Sequence, residues 1–342
     1  MRLTPRRSLT VLPLTLALAA TLAACSSSDG GNTAEAEPTG ADAAATTAPE
    51  ASDGAPEVTD LTVGVVPVVD HAAVYIANQE GFFEEEGLTV TPQVMQGGAA
   101  ALPAMVSGDL AAAFATYPSF FLAESKGLGV TIVAEGIRAT EETGGVFVSG
   151  ASGITDAAGL EGATIAVNTL NNTGDVTIKA VLEEHGVDPA SVNFLELAFP
   201  DMAPALERGD VDAAWLVEPF RTGVAAAGGR MALASYGGVA EGIPVSGLAM
   251  MDDFVAENPN TAAAFARAIE KANAFIADNP DAARDIVTTY SQTTAEVAAK
   301  LELPLWRAGG VDAEEINRWN ELMLSTGALT DAVDITDLVP TK

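Results

Sequence analysis

The chain repeats itself at an offset of 101 residues, and this constrains its fold more than any other feature. Residues 101–119, ALPAMVSGDLAAAFATYPS, align without a gap on residues 202–220, MAPALERGDVDAAWLVEPF. Pro103 matches Pro204, Gly108 matches Gly209, Asp109 matches Asp210, Ala112 matches Ala213 and Pro118 matches Pro219. Phe114 in one copy stands where Trp215 stands in the other. At the same offset LTVGVVPVVDHAAVYI (61–76) faces GATIAVNTLNNTGDVT (162–177), with few identities but a shared hydrophobic pattern. A chain built this way folds into two similar halves.

Each copy alternates apolar strand runs with helical stretches. In the first copy the pattern predicts strands near 61–66, 88–94, 110–115 and 129–134, and helices near 72–85, 99–107 and 118–126. The alternation implies an α/β fold in which each lobe is a mainly parallel sheet with helices on both faces. Gly108 and Gly209 end a helix, where a left-handed residue is wanted. Pro118 and Pro219 sit where a helix opens and an N–H is dispensable. GGVFVSG (144–150) leads from the first lobe to the second and IPVSGLAMM (243–251) leads back, so two strands cross between the lobes as a hinge. Amphipathic stretches near 259–278, 281–290 and 312–325 are assigned to the first lobe as its outer cover. The expected organisation is lobe 1 over 61–150, lobe 2 over 151–242, and a return to lobe 1 over 243–342.

The first residues read as an address. Residues 1–24 carry Arg2, Arg6 and Arg7, an apolar run from Leu9 to Ala20, and Leu22-Ala23-Ala24 ahead of Cys25. This looks like a secretory signal with a bacterial lipobox, and the run is shorter than the roughly 20 residues a membrane span needs. The expectation is a signal peptide over 1–24, with lipidated Cys25 holding the protein on the extracytoplasmic face of the cell membrane. Arg6-Arg7 leaves the general and twin-arginine export routes both open. Residues 25–60 are almost entirely Gly, Ala, Ser, Thr, Pro and acid, too poor in apolar side chains to offset their ordering entropy. They read as a flexible linker with an end-to-end distance of roughly 30 Å.

The formal charge of −31 divides into +3 for residues 1–24, −8 for 26–60 and −26 for the rest. A surface this acidic repels phosphate backbones, which excludes nucleic acid as a partner. A single cysteine forbids an intramolecular disulfide or a thiolate metal cluster, and two histidines, His71 and His185, leave little for a histidine metal site. No metal and no cofactor are expected.

In open α/β sheets, ligands bind beyond the carboxyl ends of the strands. Asp70-His71 follows the first strand; Asp70 either contacts a ligand or caps the next helix, and for His71 ligand contact is favoured. Gln96-Gly97-Gly98 allows close backbone approach. Asn168, Thr169, Asn171, Asn172 and Thr173 form a polar loop at a helix start, able to hold an anionic group without Lys or Arg; ordinary capping by Asn172 or Thr173 accounts for one of them. Thr116-Tyr117 pairs with Glu218 and Phe220, and Asp201-Met202 lies opposite the Gly-Gly turn. Tyr117 and Phe220 offer faces for stacking, whereas Trp215 reads as core. The bases near these loops are Arg138 and Arg221, so the cleft suits a monoanion held by N–H groups or a neutral polar heterocycle. No phosphate loop, Gly-x-Ser-x-Gly elbow, His-Glu-x-x-His or nucleophilic cysteine is present, and no catalytic residue is assigned.

Over about 61–280 the chain resembles the periplasmic substrate-binding proteins of ABC importers, in the nitrate, sulfonate and taurine group that also includes thiamine-pyrimidine binders. The likeness rests on VGVVPVVDHAAVYIANQEGFFEEEGLTV, QGGAAALPAMVSGDLAAAF, LEGATIAVNTLNNTGDV and RGDVDAAWLVEPF. Asp70-His71 followed by Tyr75 is similar to the Asn-His-x-x-x-Tyr stretch of the pyrimidine binders. The resemblance implies a two-lobed type II binding-protein fold and a monomer that closes over a small-molecule ligand. It implies delivery of that ligand to an ABC permease and its ATPase. Two other readings stay open: an enzyme on the same fold acting on a carboxylated ring, and a membrane-tethered ligand sensor.

Overall fold

The structure, a computed structural model, describes residues 54–339; the signal segment, Cys25 and the linker up to residue 53 lie outside the described residues. In chain order the strands are β1 (Asp60–Val65), β2 (Thr89–Val94), β3 (Ala112–Thr116), β4 (Val130–Glu135), β5 (Ile137–Arg138), β6 (Gly144–Val148), β7 (Thr164–Val167), β8 (Asn193–Glu196), β9 (Ala213–Val217), β10 (Arg230–Ala234), β11 (Ser246–Met251) and β12 (Leu305–Trp306). Two five-stranded sheets result, ordered β2-β1-β3-β11-β4 and β8-β7-β9-β6-β10, and β5 pairs with β12. In the first sheet β1 is parallel to β2 and β3, while β11 is antiparallel to β3 and β4. The second repeats the pattern, with β7 parallel to β8 and β9, and β6 antiparallel to β9 and β10. Four strands of each sheet therefore run one way and one runs against them.

The reversed strand is the crossing strand in both sheets. At the offset of 101 residues β6 falls on residues 245–249, within the reach of β11, so the last strand of each copy completes the sheet of the other. Residues 144–148, assigned to lobe 1 by the expected boundary at 150, pair in the second sheet. The central strands are buried along their length, as strands covered on both faces must be: AAFAT of β3 but for Thr116, GGVFV of β6 and AAWLV of β9.

Two helix expectations differ from the structure. The stretch 72–85 is two helices, Ala72–Gln79 and Phe82–Glu85, because Gly81 takes a left-handed φ of 78° between them. The stretch 312–325 is also divided, into Ala313–Ile316 and Arg318–Ser325, and the second piece does not belong to the first lobe alone. It packs on both Tyr117–Glu124 and Thr173–Glu184, helices of different lobes. Arg318 donates to the carbonyls of Val239 and Glu241 at 2.8 and 2.9 Å, and buried Trp319 donates to that of Pro244 at 2.7 Å. Pro259–Asp278 and Pro280–Tyr290 do cover the first lobe, where Phe265 stacks on Phe83 with ring centroids 5.3 Å apart.

The end of the expected linker is docked. The Glu57 carboxylate accepts from the backbone N–H groups of Asn260 and Thr261 at 3.2 and 2.9 Å, at the start of the long helix Pro259–Asp278. Negative charge is favoured there because the first N–H groups of a helix have no internal partner. Among the described residues no helix is long and apolar enough to cross a membrane.

Gly98 opens the helix Gly98–Val106 against β3 with no room for a side chain. A Cβ there would lie 2.3 Å from Ala115 Cβ and 3.0 Å from Ala115 Cα. Gly98→Ala is expected to lower stability by about 1–3 kcal/mol, the usual cost of overpacking. Urea unfolding checks this, and an unchanged midpoint would contradict it.

Candidate functional site

The loops at the carboxyl ends of the strands meet between the lobes and enclose a narrow cavity, with about 50 Å³ open to the centre of a water-sized sphere. The first lobe contributes the turn after β1, the Gly97-Gly98 helix start after β2, and Thr116 and Ser119 after β3. The second contributes Asn168 to Thr173 after β7, Phe199 after β8, Val217 at the end of β9 and Tyr236 after β10. Phe114, Phe199 and Trp215 supply aromatic walls.

Asn172 joins the two halves of this rim. It is the N-cap of Thr173–Glu184, its Oδ1 accepting from Thr173 N at 2.7 Å, with Asp175 closing a reciprocal capping box. The same Oδ1 accepts from Thr116 Oγ1 at 2.6 Å, and its Nδ2 donates to Ser119 Oγ at 2.8 Å, both across the cleft. Farther along, Val69 N donates to Glu218 O at 3.1 Å and Glu302 N to Glu218 Oε1 at 3.0 Å. The lobes are closed on each other.

His71 and Asp70 lie at the deep end. The His71 ring packs on Phe114 with centroids 3.7 Å apart, and Val66 N donates to its Nδ1 at 3.0 Å. An accepting Nδ1 places the proton of the neutral ring on Nε2. Burial holds the His71 pKa well below the usual histidine value, so the ring carries no charge. Asp70 does not cap the helix that follows it. It is 6% exposed, and its Oδ1 has no hydrogen-bond partner among the described residues. Burial pushes its pKa up to about 7, against a smaller lowering by its own backbone N–H. Tyr236, fully buried, also lines the cavity with a hydroxyl lacking a partner. Its pKa is driven well above the usual value by burial and then by Asp70.

Of the residues singled out in the sequence, Asp70, His71, Gly97, Gly98, Thr116, Asn168, Thr169, Asn172 and Thr173 line the cavity. The others do not. Gln96, Asn171 and Asp201 are exposed, and Asn171 instead takes a left-handed φ of 53° to turn the loop. Tyr117 and Met202 are fully buried core residues; the Tyr117 hydroxyl points under β11 toward Gly247. Phe220 stacks on Phe199 with centroids 5.4 Å apart and so backs the wall. Glu218 is buried outside the cavity, its carboxylate taken up by Thr222 and Glu302 N, and burial pushes its pKa up.

Ser119, Phe199, Trp215 and Tyr236 are lining residues that the sequence reading did not select, and Trp215 serves as wall as well as core. The phase of helix Tyr117–Glu124 turns Ser119 inward and Tyr117 away. Tyr236 lies just past the carboxyl end of β10, a position open to the same strand-end argument that selected the other loops. Among the described residues no Lys or Arg lines the cavity. Arg221 pairs with Glu142 and stacks near Phe147, and Arg138 is bound between Glu135 and Glu315. Among the described residues no three His, Cys, Asp or Glu side chains are placed to hold a metal ion.

Known proteins share this architecture. YtlA of Bacillus subtilis (strain 168), assigned as a binding protein, is 24% identical over 220 residues, covering 63% of this chain. The match spans 65% of YtlA's own length. The alkanesulfonate-binding protein SsuA from Xanthomonas axonopodis pv. citri, solved bound to MOPS, superposes with a TM-score of 0.71 at 15% identity, over 83% of this chain and 98% of SsuA. The desulfurization enzyme DSZB superposes with a TM-score of 0.61 at 16% identity, over 81% of this chain and 95% of the enzyme. Identities this low speak for a common fold, that of the periplasmic binding proteins, and not for a common ligand. The sequence model of the NMT1-like family matches residues 54–291, a span that holds both sheets and every loop of the cavity, and the chain belongs to that family.

Proposed function

We propose that the protein is an extracytoplasmic receptor that captures a small polar solute between its lobes and delivers it to an ABC importer. One observation carries this: a single cavity receives strand-end loops from both sheets, and the bonds that close it run from Thr116 and Ser119 of one lobe to Asn172 of the other. A solute touching both lobes favours the closed state by the difference in its contacts between closed and open forms, which is how a receptor reports occupancy. In this reading Asp70, His71, Thr116, Asn168, Thr169 and Thr173 contact the solute, and the aromatic walls hold a flat body. The absence of Lys and Arg among the lining residues, together with buried Asp70, favours the planar polar heterocycle over the sulfonate- or nitrate-like monoanion. Binding without chemistry is the simpler account, since the hydroxyls of Thr116, Ser119 and Thr173 are bonded to Asn172 and not to His71 or Asp70. Attachment through lipid on Cys25 would keep a monomeric receptor close to its permease.

A thermal-shift panel of pyrimidines, other small heterocycles, sulfonates, nitrate and small carboxylates tests the reading. A ligand at 100 times its Kd stabilises by about 2.7 kcal/mol. Turnover of a panel member with no stabilisation by any would favour an enzyme. Thr116→Val removes one closing bond worth about 1 kcal/mol. We expect about a fivefold loss of affinity and a larger radius of gyration by small-angle scattering for the ligand-free protein. An unchanged affinity and radius would mean that closure does not depend on this rim. Cys25→Ala should release the protein from the membrane fraction and remove the lipid mass from its N-terminal peptide.

A further inference from the structure

The cavity holds a carboxyl group whose Oδ1 has no partner among the described residues. Asp70 is more than nine-tenths buried, Asp70 Oδ1 and the Tyr236 hydroxyl lack partners, and both residues line the same space. A lone carboxylate out of water is costly unless a cation or hydrogen-bond donors meet it. Among the described residues only the backbone N–H of Asp70 itself meets it, and Oδ1 is left unpaired. His71 is held neutral, no Lys or Arg among the described residues lines the cavity, and Arg138 and Arg221 are engaged with acids elsewhere. The other titratable groups near Asp70 are Tyr236 and Tyr290, whose pKa values burial drives well up, while the hydroxyl of Tyr290 donates to Val68 O at 3.0 Å.

Helix starts also surround the cavity, and their partial positive charge favours anions within about one turn. Their N–H groups are in part already taken: Asn172 caps one helix, and Val69 N donates to Glu218 O. An anion at the Asp70 end would face negative charge at short range whenever Asp70 is ionised, or would need Asp70 to stay protonated. A cation needs neither, and the aromatic rings of Phe114 and Trp215 line the same cavity.

We propose that Asp70 and Tyr236 are the specificity-determining pair of this receptor and that its solute presents a cationic nitrogen group, an amidinium or protonated ring amine, to them. The inference rests on the receptor reading and narrows its ligand.

Three probes of one shape separate the possibilities: benzamidine, benzamide and benzoate carry a cation, a neutral amide and an anion on the same ring. Calorimetry on the full chain at pH 7.5 should find benzamidine bound at least tenfold more tightly than the other two. Asp70→Asn should reduce that preference to within about threefold, and Tyr236→Phe should weaken benzamidine severalfold. Benzoate or benzamide binding as tightly as benzamidine overturns the proposal. A preference that survives Asp70→Asn overturns it, and so does failure of all three probes to bind at 10 mM. The receptor reading is judged separately, by the wider panel above.

A second measurement needs no ligand. With its pKa raised from 3.8 to about 7, folded Asp70 keeps a proton that the unfolded chain has released. It therefore makes stability fall as pH rises from about 4 to about 7. His71, depressed by burial, acts in the opposite sense but equally in both proteins. Asp70→Asn should gain stability over the wild type across this window, with the gap widening toward pH 8. An identical pH profile would mean that Asp70 has a partner in solution, and would overturn the proposal.

Discussion

Each sheet depends on a strand that the other copy of the repeat supplies. β6 closes the first copy in sequence yet pairs between β9 and β10, and β11 closes the second yet pairs between β3 and β4. Neither lobe can satisfy the backbone groups of its central strands without this exchange, since an unpaired buried N–H or C=O costs as much as a lost hydrogen bond. The chain therefore passes twice between the lobes, and the carboxyl ends of the two parallel strand sets are brought face to face. The cavity follows from that arrangement. The helix Arg318–Ser325 adds a third tie by packing on a helix of each lobe.

Within the cavity, two requirements pull against each other. Closing the cleft gains the hydrogen bonds centred on Asn172 and buries Phe114, Phe199 and Trp215. In the closed form Asp70 Oδ1 and the Tyr236 hydroxyl are buried with no partner among the described residues. An interior with unmet polar groups is one whose closed form waits for a ligand able to meet them, which is the thermodynamic condition for occupancy to drive closure. The same physics explains why Asp70 and His71, adjacent in sequence, shift in opposite directions. Desolvation disfavours whichever form is charged, raising an acid and lowering a base.

Much of this was legible in the residues. Alternating apolar runs located the strands of both sheets, and the rule that ligands lie beyond strand ends selected the turns that line the cavity. The rule could not say which side chain of a turn points inward. Tyr117 and Ser119 lie two residues apart on one helix, and the helical phase sends the first to the core and the second to the rim. Met202 and Asp201, from the loop opposite, went to the core and to solvent. Tyr236 went unread even though Gly237-Gly238 follow it at the end of β10. Glu57 read as linker because the helix start that binds it lies about 200 residues away.

The amino-acid sequence by itself determined the duplication, the α/β layering, the two crossing strands and the scarcity of bases near the cleft. These depend on periodicity and composition, which are local properties of the chain. That the crossing strands are exchanged, that Asn172 is at once a helix cap and the clasp between lobes, and that Asp70 Oδ1 is left unpaired emerge on folding. Those are relations between residues far apart in sequence, set by which surfaces meet when the lobes close, and no local pattern encodes them.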